Sequence, residues 1–476
     1  MPLSPPTVRF TPMSGTSSDK LANRILRGLV IGIILGVITL LAGPHVPIPE
    51  FLQTLLVQVG IKSSATLLEM MRGVSTVLLD PFGRVFLRLL FFVVIPLVFA
   101  SLATGVVQLG DPKKLGPLAG RTFSLFFLNM AIGVGLGLVM MNTLAPGDHI
   151  DADTKARLMA EFGSAAQQHL QTQEGQTGLS LAVIVEMFMP ANLFGAVVGQ
   201  STTRIGDVLP LILFAILVGL VGMSLPDDKR LRLQSTLELV TELMTGIVHL
   251  ALRLAPYAVP CLIYSVLVKS GLDIIVALGV FVLGCIGVMA LHLFGTMSLW
   301  LKLWTKWSPR AYFRAVEEVI VTAFSTSSSS ATLPAVLQNA REKLHVTPSV
   351  AGFVLPLGTT MNMSGTALYE GCVVLFVAQV FGVDLSLGQQ VTLLLLSVLS
   401  AVAVAAIPGG SLPLIAGLLI TFGIPAEGIG IILGTDRILD MCRTATNVGC
   451  DLTTAVVVDE MMKKAEAKAA SAAVVG

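Results

Sequence analysis

Long apolar runs separated by short polar segments fill the first two thirds of the chain. Clear runs cover residues 28–43, 85–107, 123–144, 181–225, 237–268 and 274–301. A helix of about 20 such residues crosses the hydrocarbon core of a bilayer. The fourth run is too long for one span and is interrupted at 190–199 and 202–210, so it predicts several short helices. The fifth and sixth predict long, tilted helices.

After about Ser308 the pattern changes. Residues 315–339 and 388–422 are apolar but broken in the middle, the first by Ser327 to Ser330, the second by Pro408, Gly409 and Gly410. A helix half, a polar or glycine-rich tip and a second helix half describe a re-entrant hairpin. Such backbone survives at membrane depth only when buried in protein or lining a cavity. An unusual apolar segment follows each hairpin, LGTTMNMSGTALYEG after the first and DRILDMCRTATNVGCD after the second. Paired interrupted segments point to an inverted-repeat core with its site near the midplane.

The last of these segments holds Asp436, Asp440, Arg443, Thr444, Asn447 and Asp451. At 100° per residue they fall within an arc of about 100° on one helix face. A charge at the centre of a membrane helix costs on the order of 2.5–3.5 kcal/mol. The stripe has acids suited to a cation or an ammonium, and an arginine whose planar fork fits a carboxylate. The plainer alternative is internal glue: Asp440 and Arg443, three apart, can pair with each other. Six polar positions on one face exceed what glue requires.

Composition fits this picture. The 476 residues are 54% hydrophobic and 12% charged, against about 25% charged in a soluble protein. The chain is therefore a polytopic membrane protein. A net charge of +1 gives no indication of a nucleic-acid partner. The five cysteines lie in apolar contexts and are odd in number, which favours free thiols over a disulfide framework or a zinc site. Lys and Arg cluster at Arg24 and Arg27, at Lys113, Lys114 and Arg121, at Lys229, Arg230 and Arg232, at Lys302 to Arg314, and at Lys463 to Lys468. The intervening loops are poorer, which predicts both termini in the cytoplasm of a multi-pass inner (plasma) membrane protein. The Pro/Ser/Thr-rich start, residues 1–20, is expected to be disordered. It lacks a cleavable signal pattern, so the first apolar run is expected to remain as a span.

Three tips and helices carry candidate chemistry besides the stripe. Serines 327–330 combine hydroxyls with free N–H groups at a helix start, which suits a carboxylate; a solvated serine loop is the plain alternative. Asn362, Thr366 and carbonyls freed at Gly358 and Gly365 offer oxygens to a sodium ion. Glu370 is an ionisable group in an otherwise neutral helix, where burial disfavours its charge and lets it carry a proton. The glycine pair at 409–410 permits a movable lid, although a plain external loop would look similar.

With these motifs together, the chain resembles the dicarboxylate/amino acid:cation symporters, which include the glutamate and aspartate transporters. The resemblance covers about residues 21–464. It implies an all-α fold of eight transmembrane helices and two re-entrant hairpins with inverted repeats, working as an elevator within a homotrimer. On this basis residues 21–110 and 181–270 are expected to form the scaffold. Residues 111–145, 271–307 and 308–464 would form the transport domain, with an external loop at 146–180 and a cytoplasmic tail at 465–476. The resemblance places Asp440 at the substrate ammonium and Arg443 at the distal carboxylate. Thr444 and Asn447 match positions holding the amino and carboxyl groups, with help from Ser328, Ser329, Thr366 and the main chain at Ile407 and Gly410. Glu370 matches the proton carrier of some members. Gly358, Thr360, Asn362, Asn447 and Asp451 match cation positions.

The chain departs from the family at one sodium site. Ser364 replaces an aspartate, and Phe126, Asn129 and Met130 stand where a Tyr, a Thr and a Ser are usual. A buried cation without a counter-charge is costly, so this site is expected not to bind sodium. No cofactor is expected. The coupling ions are expected to be protons, with sodium reduced or absent. A second arginine of relatives is missing, and Arg437 could substitute for it. The resulting expectation is a symporter importing L-glutamate or L-aspartate. Alternatives are a C4-dicarboxylate symporter or, from another class, an anion channel. An intramembrane serine enzyme is disfavoured, because His249 and His292 lie in other segments without a nucleophile elbow.

Overall fold

The computed structural model describes residues 15–58, 61, 66–108, 112–156, 189, 191–198, 208–404 and 409–475. These residues are almost wholly helical. In chain order they form α1 (Gly15–Ala42), α2 (Glu50–Gln58), α3 (Leu67–Val74), α4 (Asp80–Phe92), α5 (Val94–Gln108) and α6 (Pro112–Leu144). Next come α7 (Leu193–Val198), α8 (Val208–Met223), α9 (Asp227–Leu252), α10 (Ala255–Ser270), α11 (Asp273–Ala290) and α12 (Met297–Trp304). The C-terminal third forms α13 (Pro309–Thr326), α14 (Ser329–Glu342), α15 (Pro348–Met361), α16 (Ser364–Val380), α17 (Leu387–Ala403), α18 (Leu412–Thr421) and α19 (Ile429–Val475).

Four single stretches among the described residues are long and apolar enough to cross a membrane: Arg27–His45, Gly116–His149, Asp273–Trp304 and Pro348–Val380. The fifth apolar run differs from the expected tilted span. It is two helices, α9 and α10, bent by 59°, with Pro256 in the first turn of the second, where a missing N–H is tolerated. The sixth run is continuous, carried from α11 to α12 by a π-helical turn at Leu291–Thr296. Residues 181–188, 190 and 199–207 of the fourth run, and most of the expected 146–180 loop, lie outside the described residues.

Two end expectations also change. Helix α1 begins at Gly15, inside the stretch expected to be disordered; Thr16, Ser17, Ser18 and Asp19 are residue types that start helices. Helix α19 runs unbroken for 47 residues through Val475, past the expected tail boundary at 465. Its last turns are rich in Ala, Lys and Glu, which are strong helix formers.

Close packing follows small residues. Gly28, Gly32 and Gly36, spaced by four, face α10. A Cβ on Gly32 would lie 2.9 Å from the Pro260 carbonyl, and one on Gly28 2.8 Å from that of Pro256. Where apolar side chains gain nothing by leaving lipid, such approach is what holds helices together. Helix α16 is the centre of the C-terminal third, buried over almost its whole length against α6, α17 and α19. Phe376 on it stacks on Phe281 of α11 with centroids 4.3 Å apart.

The interrupted segments form helix–tip–helix pairs: α13 and α14 meet at Ser327–Ser328, and α17 and α18 flank the second tip. Between α15 and α16 the helix breaks at Asn362 and Met363, whose ψ angles are 57° and 60°.

Candidate functional site

The polar residues of α19 line the place where both tips and the α15–α16 break converge. A small cavity there is walled by Ser327 and Ser329 of the first tip and by Met363 and Thr366 at the break. The second hairpin adds Val404, Gly410 and Ser411, and α19 adds Asp440, Arg443, Thr444 and Asn447.

Each wall has a local cause. At the first tip Ser327 takes a left-handed conformation, φ 50°, which ends α13. Ser328 then caps α14, its hydroxyl accepting from the Ala331 N–H at 3.2 Å. That use turns Ser328 away from the cavity and brings Ser327 and Ser329 to it. At the break, the N–H groups opening α16 are capped from another helix. Asn447 Oδ1 accepts from Gly365 N at 2.7 Å and Thr366 N at 3.3 Å, while Asn447 Nδ2 donates to Thr366 Oγ1 at 3.1 Å. Asn447 thus builds the wall as well as facing the cavity. Thr444 donates to its own helix, at the Asp440 carbonyl.

Arg443 is the electrostatic centre, 1% exposed. Its Nη2 donates to Asp440 Oδ1 at 2.7 Å and lies 3.3 Å from Asp436 Oδ1. Its Nη1 donates to Ser411 Oγ at 2.6 Å. The guanidinium stands 4.3 Å over the Tyr369 ring, and the Tyr369 hydroxyl donates to Asp436 at 3.1 Å. Arg437 stands 3.6 Å from the other Asp440 oxygen. The internal pair considered as the plain alternative is therefore present, and it forms part of the cavity wall.

One turn beyond, Asp451 Oδ1 accepts from Asn362 Nδ2 at 2.9 Å, and Ser364 Oγ donates to Asn362 Oδ1 at 2.9 Å. The second Asp451 oxygen is buried without a hydrogen-bond partner among the described residues. Gly358 admits this carboxylate: a Cβ there would lie 2.6 Å from Asp451 Cγ. Thr360 donates within its own helix, to Leu357. Phe126, Asn129, Met130 and Ser364, the residues expected to mark an altered cation site, are all buried. Asn129 Nδ2 donates to Thr454 at 3.0 Å, and Phe126 packs among apolar residues that include Val448 and Leu452. Glu370 is fully buried on α16, with the Ser400 hydroxyl as a neighbour.

Of the expected substrate residues, Ser329, Thr366, Gly410, Asp440, Arg443, Thr444 and Asn447 come together. Ile407 lies outside the described residues. Ser411 and Tyr369 were not anticipated as parts of the site. A serine beside a glycine-rich tip has an ordinary local use, and Asp436 was noted only as part of the stripe.

Helical hairpins with polar tips, a broken helix and a charged helix closing on one buried polar cavity define a multi-pass membrane protein of the secondary-transporter class. The sodium:dicarboxylate symporter family matches residues 21–461, and the chain belongs to that family. It is similar to the proton/sodium-glutamate symport protein of Bacillus subtilis, 31% identical over 92% of each chain. It is also similar to the proton/glutamate-aspartate symporter of Escherichia coli, 29% identical over 78% of this chain and 82% of the relative. A C4-dicarboxylate transport protein of Bacillus subtilis is 28% identical over 83% of this chain and 90% of its own.

Proposed function

We propose that the protein imports L-glutamate or L-aspartate together with cations. The carrying observation is the buried Asp440–Arg443 couple in the cavity wall. Asp440 would take the substrate ammonium and Arg443 the distal carboxylate. Ser329, Thr366, Thr444, Asn447 and the Gly410 main chain would hold the remaining groups. The relatives named for glutamate and aspartate transport support this reading.

A C4-dicarboxylate substrate is the second reading, favoured by relatives of that name. The acid at Asp440 argues against it, because a dicarboxylate offers no ammonium to a buried carboxylate and would be repelled by one.

Protons are the proposed main coupling ion. Glu370, fully buried beside the Ser400 hydroxyl, would carry one. The site at Phe126, Asn129, Met130 and Ser364 has lost its carboxylate and most of its oxygens, whereas Asp451 with Asn362, Asn447 and Gly358 keeps a carboxylate for sodium. The proposed movement is an elevator within a homotrimer in the inner membrane, with cytoplasmic termini. The exposed apolar face of α1, with Val30, Ile31, Ile34, Leu35 and Ile38, fits lipid or a neighbouring subunit. Uptake of labelled glutamate, aspartate and succinate into proteoliposomes tests the substrate and the ion together. Glutamate or aspartate should accumulate under an inward proton gradient without sodium. Accumulation of succinate alone would replace this reading with the second, and a gradient that drives nothing would remove proton coupling.

A further inference from the structure

The turn joining α12 to α13 takes no part in the cavity wall and carries a charge pattern of its own. Lys302, Lys306, Arg310 and Arg314 stand in it or on the adjoining helix turns, all exposed. None of them makes an ion pair among the described residues. The end of α19 lies beside this turn, because Lys464 Nζ donates to the Trp304 carbonyl at 2.9 Å and brings another cation. Acids on the neighbouring helices are already engaged. Asp459 pairs with Lys463 and accepts from Thr347 N, and Glu318 pairs with Lys343 at 3.0 Å. Glu317 follows Arg314 one turn later on α13.

An apolar face leads to these cations. Leu291, Phe294, Leu299 and Leu303 are each more than half exposed, whereas Leu293, Met297 and Leu301 are buried on the opposite side of the same helix. Lys302 belongs to the exposed set, so one helix face passes from hydrocarbon surface to charge. Phe294 meets Phe313 of α13 edge to face, with centroids 5.0 Å apart, which joins the two helices along that face. The three tryptophans of the chain, Trp300, Trp304 and Trp307, all fall in this segment. Trp and Lys are residue types that sit at headgroup level, with an apolar body in the hydrocarbon and a polar end in water.

We propose that this end of the protein binds an anionic phospholipid, with its headgroup on the four unpaired cations and an acyl chain along Leu303, Leu299 and Phe294. The assignment goes beyond the transport reading and does not depend on which solute is carried. A soluble acidic partner would use the cations and leave the apolar face uncovered. A zwitterionic lipid would cover the face and bring no net charge to the cations. Since lipid tails gain little by exchanging one apolar surface for another, the preference must come from the headgroup. Each Lys or Arg beside an anionic headgroup is worth about fivefold in association.

The tryptophans supply the probe, because bromine on an acyl chain quenches indole fluorescence on contact. Full-length protein would be reconstituted into phosphatidylcholine nanodiscs containing graded mole fractions of brominated phosphatidylglycerol or brominated phosphatidylcholine. The anionic lipid should reach half-maximal quenching at a mole fraction at least about fivefold lower. Lys302→Gln and Arg310→Gln together should bring the two lipids to parity. Lys229→Gln, which removes an exposed cation from α9, should leave the preference intact. Equal quenching by both lipids in wild type, or an unchanged preference in the double variant, would overturn the site. An equal loss in Lys229→Gln would reduce it to bulk charge and overturn it too. Reversal of the quenching by millimolar inorganic phosphate would assign the cations to a free anion and overturn the lipid.

Discussion

Replacing Arg443 with alanine tests the recognition scheme at its centre. In the structure the guanidinium makes one bond to a neutral partner, Ser411 at 2.6 Å, and lies against Asp440 and Asp436 at 2.7 and 3.3 Å. A substrate carboxylate would add two charge-assisted bonds, each worth roughly 1.5–3 kcal/mol net, and displace the Ser411 bond, worth roughly 1 kcal/mol. The gain lost in Arg443→Ala is then about 2–5 kcal/mol. At 1.4 kcal/mol per tenfold, that is about thirtyfold to a few thousandfold in Kd. Calorimetric titration of purified protein with glutamate, aspartate and serine reads the effect. Size-exclusion chromatography checks folding, because the variant leaves Asp436 and Asp440 near each other with the central cation removed. Affinity for the acidic ligands should collapse while serine changes little. A Kd for glutamate within threefold of wild type would refute the assignment.

Other substitutions divide the remaining roles. Asp440→Asn should weaken aspartate binding by at least about tenfold, the scale of a lost charge-assisted bond, and narrow the preference over succinate in a competition assay. Glu370→Gln should abolish the acceleration of uptake by a proton gradient while labelled exchange persists; uptake that still follows the gradient would exclude Glu370 as the carrier. In Gly358→Ala the new Cβ would press on Asp451, so any sodium-dependent rise in the melting midpoint should shrink against choline controls. Gly32→Val would push α1 away from the Pro260 carbonyl and should cost about 1–3 kcal/mol of stability, read as a lower Tm.

What could be read in advance was whatever clashes with an apolar background. The stripe on α19 stood out because charge at bilayer depth demands an explanation, and the two tips because small and polar residues interrupt otherwise continuous runs. Features with an ordinary local use were hidden. Ser411 looks like a helix cap until its partner across the cavity is seen. Gly28, Gly32 and Gly36 look like permissive residues in an apolar helix, and only the neighbouring α10 gives them a purpose. The bend between α9 and α10 was missed although Arg253 and Pro256 mark it in an otherwise apolar run. Ser328 was taken with its neighbours, although capping α14 requires one serine of the run to turn back on the helix.

The cation sites show how far each kind of inference reaches. A hard cation is held by oxygens, and burying it requires compensating charge. Where Ser364 stands in place of the expected aspartate, Phe126 and Met130 are buried apolar side chains, and Asn129 spends its amide nitrogen on Thr454. On the proposed reading that site has lost its carboxylate, and an aspartate returned at 364 alone would be a buried charge without a compensating cation. At Asp451 the opposite holds: one oxygen is fixed by Asn362 and the other is left buried and unsatisfied. Such a group calls for an ion, a water or a proton. Glu370 is a second fully buried carboxyl group, set beside the neutral Ser400 hydroxyl. On the proposed reading, the charge that crosses with an acidic substrate is carried at two carboxyl groups on α16 and α19. Their separate replacement distinguishes a sodium contribution from a proton contribution without disturbing the Asp440–Arg443 couple.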